Sequence, residues 1–161
     1  MIKNWIIEHL YRKGITAIIS NDQNEFLIVQ PVSYSKNDWN FSGGGIEKDE
    51  TEEKALFREL REELGTNKFE IIFKSKNLIT YNWSFRLIAR KCFKKKEVYL
   101  GQSARHFVVK FVGTKTDIKP DSSEIRKIKW VRRSEFNKYL TFPNQVKITE
   151  EVLKEYEASL S

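Results

Sequence analysis

The sequence predicts an α+β fold, a mixed β-sheet with helices packed on its faces. Three observations lead there. Short apolar runs bounded by turn residues stand on both sides of one long amphipathic helix pattern, and two further helix patterns close the chain. That order is not the regular strand–helix alternation of a parallel sheet. With 161 residues, 40% of them hydrophobic, the chain is long enough to bury a sizeable core, and one domain over residues 1–161 is expected.

Ile15 to Ser20 is an apolar run closed by Asn21-Asp22 and reads as a buried strand. Phe26 to Val29 is a second strand, ended near Pro31, and Asn21 to Glu25 makes the turn between them. Tyr34 to Asp38 is polar loop. Trp39-Asn40-Phe41 is a brief extended piece running into Gly43-Gly44-Gly45. Thr51 to Leu64 carries the clearest helix signal. Asp49 or Thr51 caps its start, acids crowd its first turn and Gly65 ends it. Leu56, Phe57, Leu60 and Leu64 share one face at helical spacing. Phe69 to Tyr81, Ser84 to Arg90, His106 to Val112 and Ile128 to Val131 read as strands. Ser134 to Leu140 reads as a short helix capped by Ser134, and Val146 to Leu160 as a C-terminal amphipathic helix.

Composition excludes several classes. No run approaches the roughly 18 consecutive apolar residues of a membrane helix. Charge interrupts the first eight residues too early for a signal peptide. The single cysteine, Cys92, excludes an intramolecular disulfide framework and a multi-cysteine zinc site. No Cys/His/Asn arrangement suggests a catalytic thiol, and His9 and His106 have no partners at ligand spacing. A soluble, cytoplasmic protein is expected, without membrane partners.

The net charge of +7 is unevenly placed. Residues 46–66 hold eight acids and four bases, whereas residues 83–115 hold nine bases and the single acid Glu97. An acidic island in a basic chain suggests a cation site facing a polyanion, because basic surface concentrates phosphate-bearing ligands.

Within that island, Glu59, Glu62 and Glu63 fan over roughly one third of the helix circumference. Their centre lies about 120° from that of the leucine stripe. The helix can therefore bury its leucines and present three carboxylates to a cleft beside the core. Acids this close repel one another unless a cation joins them. Oxygen ligands suit Mg²⁺ or Mn²⁺, and Mg²⁺ completes its shell with water and substrate phosphate. Gly43-Gly44-Gly45, just ahead of the helix, permits close approach of backbone to a ligand.

The joint spacing is more specific than any of its parts. Gly44-x5-Glu50-x7-Arg58-Glu59-Leu60-x-Glu62-Glu63-x-Gly65-Thr66 resembles the Nudix box, departing from it only in Thr66, where the family has a bulky aliphatic residue. The resemblance implies an α/β/α sandwich with a mixed sheet and a loop–helix–loop motif. It also implies divalent-metal-dependent hydrolysis of a nucleoside diphosphate linked to another group. By position, Glu59, Glu62 and Glu63 are the implied metal ligands, with the carbonyl of Gly43 or Gly44. Glu50 and Arg58 are implied to brace the loop against the helix.

The flanks are similar to the bacterial RNA pyrophosphohydrolase and dinucleoside polyphosphate hydrolase subgroup. The resemblance rests on Tyr11-Arg12, Trp39-Asn40-Phe41, Tyr99-Leu100-Gly101-Gln102, and Glu124 ahead of Trp130-Val131. Ser42 stands where the subgroup usually has proline, and Gln30-Pro31 where a basic residue is common. The likeness implies that Arg12 contacts phosphate, Gln102 lines the pocket, and Glu124 is an extra metal ligand or activates water. Arg105, with Lys91, Lys94, Lys95 and Lys96, is a candidate guide for an RNA end. Phe41, Tyr81, Trp83 and Phe107 are candidate base-stacking residues. Either Glu62 or Glu124 is the expected proton acceptor. The expected substrate is a 5′-triphosphorylated RNA end or a dinucleoside polyphosphate, with no DNA specificity, acted on by a monomer or homodimer. The rivals are a Nudix enzyme of small nucleotides, such as noncanonical nucleoside triphosphates or nucleotide sugars, and a non-catalytic RNA-binding module.

Overall fold

The computed structural model describes residues 2–95 and 98–161. Lys96 therefore lies outside the described residues, as do the side chains of Lys94 and Lys95. The elements in chain order are helix α1 (Ile2–Leu10), strands β1 (Tyr11–Ser20), β2 (Glu25–Pro31) and β3 (Ser42–Gly45), helix α2 (Glu52–Leu64), strand β4 (Phe69–Asn82), helix α3 (Phe85–Lys95), strands β5 (Gly101–Phe111) and β6 (Ile125–Arg132), and helices α4 (Phe136–Tyr139) and α5 (Gln145–Ser159).

One mixed sheet runs β4-β5-β1-β2-β6, with β1 and β5 parallel and the other neighbours antiparallel. The edge of β1 away from β5 is shared. Its last residues, Ile19 and Ser20, pair with Leu27 and Phe26 of β2, while Gly14 to Ala17 pair with Gly45 to Ser42 of β3. The glycine segment thus enters the fold as a short strand beside the central one.

Alternation along the strands builds two cores. Ile15, Ala17, Ile19, Leu27, Val29, Phe107 and Val109 pack beneath Leu56, Leu60 and Leu64 of α2. Ile18, Phe26, Ile28 and Val108 pack on the other face beneath Phe136 of α4 and Val152 and Leu153 of α5. The result is helix on sheet on helix, as expected. No described helix is long and apolar enough to cross a membrane.

The largest departure from the sequence reading is α3. Of residues 84–90, expected as a strand, 85–90 are helical and Ser84 precedes the helix. The Ser84 hydroxyl accepts a hydrogen bond from the backbone N–H of Leu87 at 3.3 Å, which opens a helical turn. Among its described side chains, Leu87, Ile88, Ala89 and Lys91 are half-buried. The pairing edge of β5 is meanwhile taken by β4, whose Asn82 faces Gly101. A second departure is α1, which the sequence reading left unassigned. It is steadied by the Trp5 and His9 rings stacked four residues apart, with centroids 4.5 Å apart. A third is Ser134, which lies inside the 3₁₀ turn Arg133–Glu135 instead of capping a helix, because Glu135 accepts from the Arg132 N–H at 2.9 Å.

Candidate active site

Helix α2 begins where the sequence places it. Thr51 caps it, accepting from the Lys54 N–H at 3.2 Å. Gly65 ends it in the left-handed region at φ 71°, where its N–H donates to the Arg61 carbonyl. Ala55, Leu56, Leu60 and Leu64 are buried and Phe57 half-buried, so rotation about the helix axis is fixed. The three glutamates then fall at the margin of the sheet, against β3.

Each glutamate meets a different environment. Glu59 lies against Gly44, where a Cβ would collide with its carboxylate. Only glycine permits that approach. Glu63 is deeper: the Ser42 hydroxyl and, at 3.3 Å, the Gly43 N–H donate to its Oε2. Glu62 faces outward with about half its side chain exposed. Burial pushes the Glu63 carboxyl up to about 8, the Ser42 hydrogen bond opposing and the Glu59 charge adding to the shift. Burial also raises Glu59, partly offset by Arg58. The Glu124 charge adds to the Glu63 shift as well.

Arg58 organises the group. Its Nε donates to Glu50 Oε1 at 2.9 Å and its Nη2 to Glu50 Oε2 at 3.0 Å and to the Gly45 carbonyl at 2.8 Å. Its Nη1 reaches Glu59 at 2.8 Å and Glu62 at 3.3 Å. One guanidinium therefore ties loop, strand and helix together, and its hydrogen bonds hold Glu50 below the usual carboxylate range. This is the bracing geometry the sequence pattern implies for Glu50 and Arg58.

Among the described residues, no three acidic, histidine or cysteine side chains converge to enclose an ion by themselves. Like charges relax toward donors, and Arg58 and Ser42 supply them. The donor set still fits a hard divalent ion. Two low-lying carboxylates and a strand backbone exposed by glycines offer oxygens only. Mg²⁺ asks for one or two carboxylates and fills the rest of its shell with water and phosphate.

The opposite side of the same strands carries the implied substrate contacts. Tyr81, Gln102 and Arg12 stand side by side across β4, β5 and β1. Gln102 lies over Gly14 and its Nε2 donates to the Gly44 carbonyl at 3.2 Å. The Arg12 guanidinium occupies the space where a Gly45 Cβ would stand, and its charge is felt at Glu59.

Other candidates are placed elsewhere. Arg105 faces α2, with Nε 3.2 Å from Glu52 and Nη1 donating to the carbonyls of Ser75 and Lys76 at 3.1 and 2.6 Å. Three acceptors fix its guanidinium. Phe41 and Phe107 are core residues. Trp83 is half-buried beside α3, with the Lys91 ammonium 4.3 Å from its ring centre. Tyr34, expected only as part of a polar loop, packs edge-on against Phe142, with ring centroids 5.5 Å apart. Burial raises its hydroxyl pKa, with Asn40 opposing and the Glu63 charge adding. A tyrosine in a polar loop gives no periodic signal, so nothing in the chain marks it. Ser42 was legible only as a departure from proline.

Fold and site together define a class, and comparison agrees with them. The NUDIX domain model matches residues 10–152, and the chain belongs to that family. It is a Nudix pyrophosphohydrolase. The chain is 34% identical over 137 residues to an RNA pyrophosphohydrolase of a Nitratiruptor species, covering 82% of this chain and 84% of that protein. It is 30% identical over 139 residues to an RNA pyrophosphohydrolase of Orientia tsutsugamushi, covering 84% of each. Among solved structures, the Escherichia coli dihydroneopterin triphosphate pyrophosphohydrolase superposes with a TM-score of 0.72 at 16% identity, covering 90% of this chain and 99% of that one. A Caenorhabditis elegans Ap4A hydrolase binary complex gives 0.61 at 18% identity, covering 91% and 97%. At such identities the structural likeness speaks for the fold.

Proposed function

We propose that this enzyme hydrolyses a phosphoanhydride bond at a 5′-triphosphorylated RNA end or in a dinucleoside polyphosphate, using a divalent ion held by Glu59, Glu62 and Glu63. One observation carries the reading. A single glycine strand has the α2 carboxylates against Gly44 and the Arg12 guanidinium against Gly45. Adjacent strand residues face opposite ways, so this one strand holds cation ligands against one face and a base for phosphate against the other. The names of the relatives support the RNA end as substrate.

When bound, a Mg²⁺ or Mn²⁺ ion supplies charge neutralisation on the phosphates and a more acidic water. The chain's own groups do the rest. Arg12 holds a phosphate oxygen. Gln102, bonded to the Gly44 carbonyl, fixes the strand that faces the helix. Glu50 and Arg58 keep the loop and α2 in register. Glu62, the most exposed of the three glutamates, or Glu124, whose charge is felt at Glu63, accepts the proton of the attacking water.

The test is a product-resolved assay of 5′-triphosphorylated oligoribonucleotide, diadenosine tetraphosphate and a panel of nucleoside triphosphates and nucleotide sugars with Mg²⁺. Release of pyrophosphate or orthophosphate from the first or second substrate, in preference to the panel, is expected. Preference for the panel contradicts the substrate, and RNA binding without cleavage contradicts hydrolysis.

A further inference from the structure

Helix α2 touches strand β3 at two points. The Glu59 carboxylate lies against Gly44, and Glu63 meets Ser42. Two repeats produce this pairing. Ser42 and Gly44 point to the same face of β3 and stand about 6.6 Å apart, two strand residues. Glu59 and Glu63 are four residues apart on α2, about 6 Å along its axis. The spacings nearly match, so both glutamates find a seat on one strand. The two seats differ in kind. At Gly44 the missing side chain makes the room, and Arg58 Nη1 holds Glu59 at 2.8 Å. Arg58 also pairs with Glu47, Glu50 and Glu62, but not with Glu63. At Ser42 the side chain itself makes the contact. Its hydroxyl donates to Glu63 Oε2, and the Gly43 N–H approaches the same oxygen at 3.3 Å. Ser42 is fully buried and lies two residues ahead of the first box glycine, Gly44.

We infer that Ser42 is a positioning residue for the ion site: its hydroxyl, with the Gly43 N–H, seats Glu63 beside Glu59 in the arrangement that grips a divalent ion. The inference deepens the hydrolase reading and rests on it. A glutamate has three rotatable bonds before its carboxylate. Glu59, one turn away, is a like charge that pushes Glu63 aside. Two donors on one oxygen oppose that push, and both fall on Oε2, which leaves Oε1 for the ion. A carboxylate ordered on folding need not be ordered again when the ion binds, which raises affinity. Removing a hydrogen-bond partner of a ligating group typically weakens metal binding roughly 10–100-fold.

The experiment titrates Mn²⁺ into wild type, Ser42→Ala, Ser42→Cys, Glu63→Gln and Ser42→Ala/Glu63→Gln, with free ion read by electron paramagnetic resonance. Ser42→Ala is expected to weaken binding about tenfold. Ser42→Cys keeps the volume but donates weakly, so it should fall with alanine; it decides alone should Ser42→Ala melt early. In the Glu63→Gln background the alanine change should have no effect, because Ser42 acts through Glu63. Wild-type affinity in either Ser42 variant, or the full loss repeated on top of Glu63→Gln, overturns the inference. In hydrolysis, the Mg²⁺ concentration giving half the maximal rate should rise in Ser42→Ala while kcat at saturating Mg²⁺ changes little. A kcat loss that excess Mg²⁺ leaves uncorrected overturns it too. Should the wild type cleave nothing, the proposed substrates fall and the Mn²⁺ titration still judges Ser42. Should the wild type bind no Mn²⁺, the ion site falls and the inference with it.

Discussion

Gly44 shows how little separates a structural residue from a functional one. A methyl group there would meet the end of the Glu59 side chain, which can swing aside, and not rigid backbone. Gly44→Ala is therefore expected to keep most of the protein's stability and lose at least tenfold in turnover, checked by pairing thermal melting with the hydrolysis assay. Glu62→Gln removes charge without volume, and a loss of about 10²–10⁴-fold in kcat is expected if it accepts the proton. Full activity in that variant would contradict Glu62 both as an ion ligand and as the proton acceptor. His106 offers a pH signature of its own. It is buried, no described residue meets its Nδ1, and burial lowers its pKa to about 4. The unfolded chain binds its proton below about pH 6.5 and the folded chain only below about 4. Stability is thus full above pH 6.5, falls as pH drops to 4 and is then flat, a loss on the order of 3 kcal/mol. Urea midpoints measured across this range should decline more for the wild type than for His106→Gln, and parallel curves would contradict the assignment.

Helix α2 was legible because every signal in it agrees: the Thr51 cap, the leucine stripe, the Gly65 stop and the spacing of the acids. Truncating its buried face with Leu60→Ala should cost about 2–5 kcal/mol in denaturant unfolding. Arg58→Ala leaves Glu50 and Glu59 without their shared partner and should cost about 3 kcal/mol, a larger loss than any exposed ion pair gives. Elements whose identity is decided by neighbours were read less well. Gly43 to Gly45 have poor strand propensity, yet they form β3 because β1 offers an open edge at Gly14 to Ala17. Residues 84–90 contain an apolar pair that suits strand or helix, and the edge they would have joined is already filled by β4. The close approaches that define the site, Glu59 to Gly44 and Arg12 to Gly45, depend on that strand pairing. The box identified the ligands but not which residue each would touch.

The whole molecule sets an acidic helix into a basic chain. Residues 46–66 are net negative while the chain carries +7, so a cation and a polyanion are both drawn to one region. Affinity for a triphosphorylated oligoribonucleotide should therefore fall more steeply with salt than affinity for ATP, and equal slopes would argue for a small-molecule substrate. The sandwich also explains why the site lies where it does. The leucines of α2 are fixed under the sheet, so its acids emerge at the edge of β3, while Arg12 and Gln102 stand on the other face of the same strands. The claim beneath all of this is that the α2 glutamates bind a divalent ion. Titrating Mn²⁺ into wild type and into a Glu59→Gln/Glu63→Gln double variant, with free ion read by electron paramagnetic resonance, measures it directly. At least one equivalent bound by the wild type, weakened tenfold or more in the variant, is the predicted result. Equal binding by the two proteins would contradict it.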